Sequence, residues 1–316
     1  MLRIALAAAL FAACGATALA GEYELPKSGD LVGQVQHIKA HYEDTFVALA
    51  RTYDVGYDEL RSANPNVDPW LPGEGTDVII PTQYVLPHAQ RRGIVINVPE
   101  LRLYYYPADA PNKVITHPIS VGRQDWTTPL GETKVVSKVR NPAWYPPESI
   151  RKEHAAENDP LPAVVPPGPD NPLGLFALRL GIPGYLIHGT NKPAGVGMRV
   201  SHGCIRLFPE DVEALFKTVP VGTPVFIVDQ PYKLGWGSDG ALYLEAHPPF
   251  VEEREAGKWT ATDLTREFVA VTEDRYIKVE WDKADAVMHE AQGIPVRVSK
   301  VPAQNEAETT AAIAAR

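Results

Sequence analysis

The chain has 316 residues, 45% of them hydrophobic and 22% charged, which is enough apolar material for one large domain or two ordinary ones and excludes a disordered chain. Lysine and arginine number 30 against 39 aspartates and glutamates, a net charge of −9, so the basic face that a nucleic-acid partner requires is missing. The 30 prolines, about twice ordinary usage, disfavour a helical bundle and favour strands joined by stiff loops.

Residues 1–20 read as an export signal. Arg3 supplies a positive start, Ile4 to Ala13 an apolar run, and Ala18, Leu19 and Ala20 a small-x-small cleavage site before Gly21. A membrane anchor fits less well, because the apolar stretch is short, rich in alanine and interrupted by Gly15 and Thr17. A lipid anchor on Cys14, preceded by Phe11, Ala12 and Ala13, stays open as an alternative. Cleavage after Ala20 removes Cys14 and leaves Cys204 as the one thiol of an exported protein. Such a thiol is either buried and inert or reactive for a purpose.

Residues 37–81 carry a helical pattern. Phe46, Leu49, Ala50 and Tyr53 mark one face of a short helix, with Asp44 expected as its cap. Leu60 and Ala63 indicate a second helix ended by Asn64 and Pro65, and Val78 to Ile80 a closing strand before Pro81. This strand-helix-helix-strand unit, placed within residues 21–90, resembles the lysin motif, a carbohydrate-binding module: Asp44, Thr45, Leu49, Ala50, Tyr53, Asp58, Leu60, Asn64, Pro65, Ile80 and Pro81 fall in its order. It departs at Glu43, where the family usually has glycine; a small packing domain without a ligand is the alternative.

From Gly93 the period changes to alternation and apolar runs, predicting strands over Ile94–Val98, Leu101–Tyr106, Val114–Val121 and Thr133–Val139, with Pro224–Val228 as the last. One short helix is expected from Pro209 to Lys217, with Leu215 and Phe216 inward. Asp159 to Leu173 holds six prolines, so it cannot be a central strand; it reads either as an ordered excursion bordering a binding site or as a surface connection. Residues 230–302 read as an appended α+β subdomain, with strands at Leu242–Ala246, Tyr276–Trp281 and Val296–Val301 and a helix over Ala261–Ala270. The Ala-rich tail, 303–316, has little to bury and is expected to be disordered.

The chemistry concentrates between Gly184 and Leu207. Tyr185, Leu186 and Ile187 predict a strand that delivers His188, followed by Gly189 and Thr190. A hairpin-like reversal at Gly195 and Gly197 is expected to return the chain through Met198, Arg199 and Val200 into Ser201, His202, Gly203, Cys204, Ile205 and Arg206. A free thiol is only a few per cent ionised at neutral pH, and an imidazole nearby can take its proton. Gly203 would let amides around Cys204 converge as an oxyanion hole, and a backbone carbonyl near Gly189 would orient the imidazole. Zinc held by His188, His202 and Cys204 is a weaker alternative, since no fourth ligand is apparent. The remaining histidines take a structural reading.

His188, Gly189, Thr190, Gly195, Gly197 and the run Ser201 to Leu207 together resemble the L,D-transpeptidase catalytic domain, over most of residues 91–229 and including Pro142, Trp144, Pro146 and Asn171 to Gly174. The chain departs at Arg206, where many members carry asparagine. The resemblance implies a mainly β protein with short helices: a β-rich catalytic domain behind the small βααβ module and before the α+β subdomain. It implies a periplasmic enzyme without a cofactor, acting on peptidoglycan stem peptides through a thioester that carbapenems can trap. Cys204 would be the nucleophile, His188 the proton carrier, and His202 would shape the site and, with the Gly203 and Cys204 amides, stabilise the oxyanion. Ser201 and Arg206 would orient the stem peptide, Gly184 would allow close approach, and Gly189 would lie at the substrate. The acceptor would be diaminopimelate of a second stem, a lysine of an outer-membrane lipoprotein, or water; a wall-binding protein without catalysis is the reading from another class.

Overall fold

The computed structural model describes residues 21–275 and 277–300. The expected export signal, Cys14 and the tail 303–316 lie outside the described residues. Among those described, no helix is long and apolar enough to cross a membrane.

A nine-stranded mixed sheet carries the site, in the order Glu22–Glu24, Lys113–Pro118, Arg102–Tyr106, Gly93–Asn97, Pro224–Val228, Gly131–Arg140, Phe176–Leu180, Leu186–His188 and Ile205–Arg206. Its central strands are apolar on both faces because both faces are covered. Ile94, Ile96, Leu103 and Tyr105 point into one core with Leu178, Ile187, Ile205, Val212 and Leu215. Val95, Tyr104 and Tyr106 point the other way, onto Val32, Tyr84 and Leu86. Each such buried aliphatic or aromatic side chain contributes roughly 1.5–3 kcal/mol relative to exposure. The helix Pro209–Thr218 packs Val212 and Leu215 into the first core, and Phe216 joins its edge against Phe176 at 4.9 Å between ring centres.

The N-terminal unit has the expected outline: strand Gln36–Lys39 pairs antiparallel with Asp77–Ile80 around helices Phe46–Tyr53 and Tyr57–Ala63. The cap differs from expectation. Thr45 Oγ1 accepts the Ala48 N–H at 3.2 Å, while Asp44 accepts the His41 N–H at 2.7 Å and so closes the preceding turn. Glu22–Glu24, which carries no strand signal of its own, joins the catalytic sheet through Lys113–Pro118. The unit is fastened to the loop that precedes Arg199–Ser201 by backbone bonds from Tyr57 and Asp58 to the Val196 and Gly197 carbonyls, where a methyl group on Gly197 would lie 2.2 Å from the Gly56 Cα.

The C-terminal subdomain is α+β, but several elements differ from expectation, among them the expected strand Val296–Val301, which breaks into Val296–Arg297 and Ser299–Lys300 in separate sheets; Tyr276 and Val301 lie outside the described residues. The expected strand Tyr276–Trp281 shortens to Lys278–Val279, and Trp281 instead opens a helix to Glu290 that buries Ala284 and Val287. A strand over Tyr232–Trp236 precedes Leu242–Ala246 and pairs with it, and helix Ala261–Thr272 presses Leu264 and Phe268 on the pair.

Candidate active site

Strand register builds the site. Leu186–His188 and Ile205–Arg206 run parallel, with Ile187 opposite Ile205 and His188 opposite Arg206. Both isoleucines face the core, so period-2 alternation turns His188 and Arg206 together to the other face, and Cys204, in the turn just before Ile205, lies within reach of the Arg206 charge. The hairpin expected between His188 and Ser201 does not form. A short 3-10 turn, Pro193–Gly195, leads into Arg199–Ser201, which pairs in parallel with Val121–Gly122.

His188 is buried, and its Nδ1 donates to the Gly189 carbonyl at 2.6 Å. A hydrogen on Nδ1 leaves Nε2 as the lone-pair nitrogen, so the backbone fixes the tautomer that a base needs. Gly189 therefore orients the imidazole through its carbonyl. Leu173, at the end of the proline-rich excursion, also turns its carbonyl to His188, so that excursion borders the site. Asn171 holds it there, donating to the Pro142 carbonyl at 2.8 Å and accepting the Leu173 N–H at 2.9 Å.

Cys204 is half-buried. Its thiol donates to the Gly184 carbonyl at 3.5 Å and receives the Leu186 N–H. Gly184 has φ of +84° and open space where a side chain would be. Ser201 Oγ donates to the Cys204 carbonyl at 2.6 Å and accepts the Gly203 N–H at 3.1 Å. Two expectations are corrected here. Ser201, 1% exposed, spends its hydroxyl on the turn, and the Gly203 amide is committed to it instead of being free for an oxyanion. Gly203 must still be glycine: its φ is +100°, and a methyl group on it would lie 2.9 Å from Tyr185 Cε1.

His202 turns toward a helix with no counterpart in the expected elements, Glu148–Ala156. Its Nε2 lies 3.1 Å from Glu153 Oε2 and 3.3 Å from Arg123 Nη2, Arg123 pairs with Glu153, and Trp126 sits edge-on at 5.0 Å. The ligand atoms of His188, His202 and Cys204 do not converge on one point among the described residues, so the zinc alternative lacks its geometry.

Burial, followed by the Arg206 charge, pushes the His188 pKa down to about 3; burial, then Arg123, His154 and Arg206, push His202 down to about 4. Burial raises the Cys204 thiol, against the Leu186 amide and the Arg206 charge, which lower it. The resting pair is thus a thiol and a neutral imidazole. Arg206 has no carboxylate partner among the described residues, and its Nε is buried without a hydrogen bond. It is the cation of the site.

Residues 91–227 match the family model of the L,D-transpeptidase catalytic domain. The protein named probable L,D-transpeptidase YbiS of Escherichia coli strain K12 is 43% identical over 301 residues, 92% of this chain and 97% of the relative. The chain belongs to the L,D-transpeptidase family. Probable L,D-transpeptidase ErfK/SrfK of the same strain is 41% identical over 290 residues, 90% of this chain and 92% of its own. The solved catalytic domain of the E. faecium L,D-transpeptidase is 24% identical, with a TM-score of 0.34 over 45% of this chain and 100% of that one. The chain is therefore an enzyme of a family that acts on peptidoglycan stem peptides. What local motif reading missed in this L,D-transpeptidase are Glu153, Arg123, Trp126 and Thr128, whose hydroxyl donates to the Gly203 carbonyl at 2.9 Å. Pro147 before Glu148, with Ala155 and Ala156 at the far end, is a helix signal that could have revealed the Glu153 helix.

Proposed function

We propose that this L,D-transpeptidase acts in the periplasm, after removal of residues 1–20, and joins stem peptides through a thioester on Cys204. The observation that carries the proposal is that Arg206 lies opposite His188 and its charge reaches both His188 and Cys204, with the His188 Nδ1 hydrogen committed to Gly189 and Nε2 left as a base. His188 Nε2 takes the thiol proton as sulfur attacks the carbonyl carbon at the L-centre of the third stem residue. The Cys204 amide bears the developing oxyanion. Collapse breaks the bond to the terminal D-alanine, whose nitrogen leaves with the proton held on His188. An acceptor amine then attacks the thioester, gives its proton to His188, and sulfur leaves to recover the thiol. Arg206 holds a stem carboxylate during both steps.

Diaminopimelate of a neighbouring stem as acceptor gives a 3,3 crosslink; a lipoprotein lysine gives an anchored lipoprotein. The N-terminal unit holds the glycan strand. Its support is an aromatic wall: Trp70, 64% exposed, lies 6.3 Å from Tyr57 beside a cavity of about 870 Å³ that Arg61, Asn64 and Phe250 also line.

Incubation with tetrapeptide muropeptides and a lysine-ended lipoprotein peptide, followed by mass measurement, tests the reaction. Crosslinked dimers or peptide adducts, absent with Cys204→Ala, are expected. Tripeptide stems alone would mean that water is the acceptor and would overturn the transferase step. Trp70→Ala is expected to weaken sedimentation with peptidoglycan while leaving turnover of soluble muropeptides unchanged.

A further inference from the structure

One buried charged cluster has no part in the proposed reaction. His117 Nδ1 lies 3.0 Å from Asp54 Oδ2 and 3.3 Å from Asp211 Oδ1. Asp54 ends the first helix of the N-terminal unit, Asp211 sits in the first turn of Pro209–Thr218, and His117 belongs to the strand Lys113–Pro118. All three are more than nine-tenths buried. Asp54 Oδ1 and Asp211 Oδ2 have no hydrogen-bond partner among the described residues.

The cluster is short of positive charge. Burial opposes protonation of His117, yet Asp54 and Asp211 together drive it up to about 10, so it is an imidazolium between two carboxylates. One negative charge is left over. Burial and then the Asp54 charge push Asp211 up to about 6, which is the mark of that excess. Neither nearby arginine supplies the missing cation: Arg102 donates to the Asp54 backbone carbonyl but pairs with Glu59, and Arg51 pairs with Glu210.

Gly21 lies against the same carboxylate. It is buried, and a methyl group on it would fall 2.5 Å from Asp54 Oδ2 and 2.3 Å from the Thr116 carbonyl oxygen. The Gly21 carbonyl accepts the Thr116 N–H at 2.7 Å, and Glu22–Glu24 continues into the sheet, so its position is fixed. With φ of +87° and no space for a side chain, the position demands glycine.

We infer that cleavage after Ala20 delivers the new α-ammonium group of Gly21 to the Asp54 carboxylate, where it offsets the excess negative charge that Asp54 shares with Asp211 and closes a lock between the N-terminus, the N-terminal unit and the catalytic domain. The inference rests on the cleavage proposed above. Water splits the Ala20–Gly21 amide into a carboxylate on Ala20 and an ammonium on Gly21. Before that step the same nitrogen is a neutral amide with one hydrogen; afterwards it carries the missing charge and three donors. The lock therefore completes only in the processed chain.

The test uses the full chain exported with its own leader. Intact mass is expected to match residues 21–316. In the folded protein at pH 7, acetylation of the Gly21 amine is expected to be at least tenfold slower than that of a form carrying one extra alanine before Gly21. The thermal midpoint is expected to exceed that of the extended form by about 3 °C or more, and the gap to vanish when both carry Asp54→Asn or, should that variant not fold, Asp211→Asn. Equal acetylation rates and equal midpoints overturn the inference while leaving the cleavage intact. So does a rise in midpoint of the processed form on adding one equivalent of zinc or manganese, because the cluster then holds a metal ion. Cleavage at another bond overturns both.

Discussion

Arg102 Nη2 donates to Glu59 Oε2 at 2.7 Å with both side chains sealed from water, a buried ion pair across the seam between the N-terminal unit and the catalytic sheet. The same guanidinium lies over the Tyr84 ring, 4.3 Å from its centre. The pair exists because Arg102 alternates with Leu103 and Tyr105 onto the covered outer face of the sheet.

Removing one partner leaves a buried charge without compensation. Glu59→Ala is expected to lower the unfolding free energy by about 3–5 kcal/mol, and the double change Arg102→Met with Glu59→Leu to recover most of it. Urea unfolding measures both. A loss under about 1 kcal/mol for the single variant would show that water reaches the seam.

The charge state of the reacting pair sets a pH dependence. With His188 held down to about 3 and the thiol held above its ordinary range, no thiolate–imidazolium pair exists at neutrality. Alkylation of Cys204 by iodoacetamide is expected to climb about tenfold per pH unit between pH 6 and 8. A plateau already at pH 7 would contradict the neutral pair. For stability the sign is that of a group whose folded pKa is depressed: the contribution of His188 is fully present above its ordinary 6.5 and is lost as pH falls toward 3.

Arg206 lowers both the thiol and His188 by its charge. Arg206→Gln should raise both, slowing alkylation at pH 8 several-fold and moving the His188 titration upward in an NMR series. The proposed carboxylate contact adds a rise in KM for stem peptide on the order of tenfold. An unchanged KM would remove Arg206 from substrate binding.

Gly203→Ala strains the turn twice, by a positive φ and by contact with Tyr185. The backbone cost is about 1–2 kcal/mol, and because the turn carries Cys204, the proposed nucleophile, acylation by a carbapenem should fall at least tenfold while far-ultraviolet dichroism is retained. Tyr185→Ala should not restore it, since the φ penalty remains. Full rescue would show that the contact alone mattered.

Much of the site was legible in local spacing. His188 and the run Ser201 to Cys204 stood out as the proposed base and nucleophile because both lie at strand ends with glycines beside them. Glu153 and Arg123 were not legible: they come from 49 and 79 residues before His202 and meet it only through packing. The Ser201 assignment failed for a related reason. A hydroxyl three residues before a cysteine is equally suited to a substrate and to the turn, and only the 2.6 Å bond to the Cys204 carbonyl decides.

By itself the sequence determined the catalytic family, the neighbourhood of His188 and Cys204 on which the proposed chemistry rests, and most strands of the catalytic sheet, since each is written in residue types a few positions apart, where covalent geometry fixes which side chains share a face. Only the tertiary structure decided that Gly189 sets the imidazole tautomer, that Gly203 spends its amide on Ser201, that Arg102 seals the N-terminal unit to the sheet, and that Gly21 lies against Asp54. Those relations depend on strand register and on which groups are stripped of water together, and neither quantity is carried by neighbouring residues in the chain.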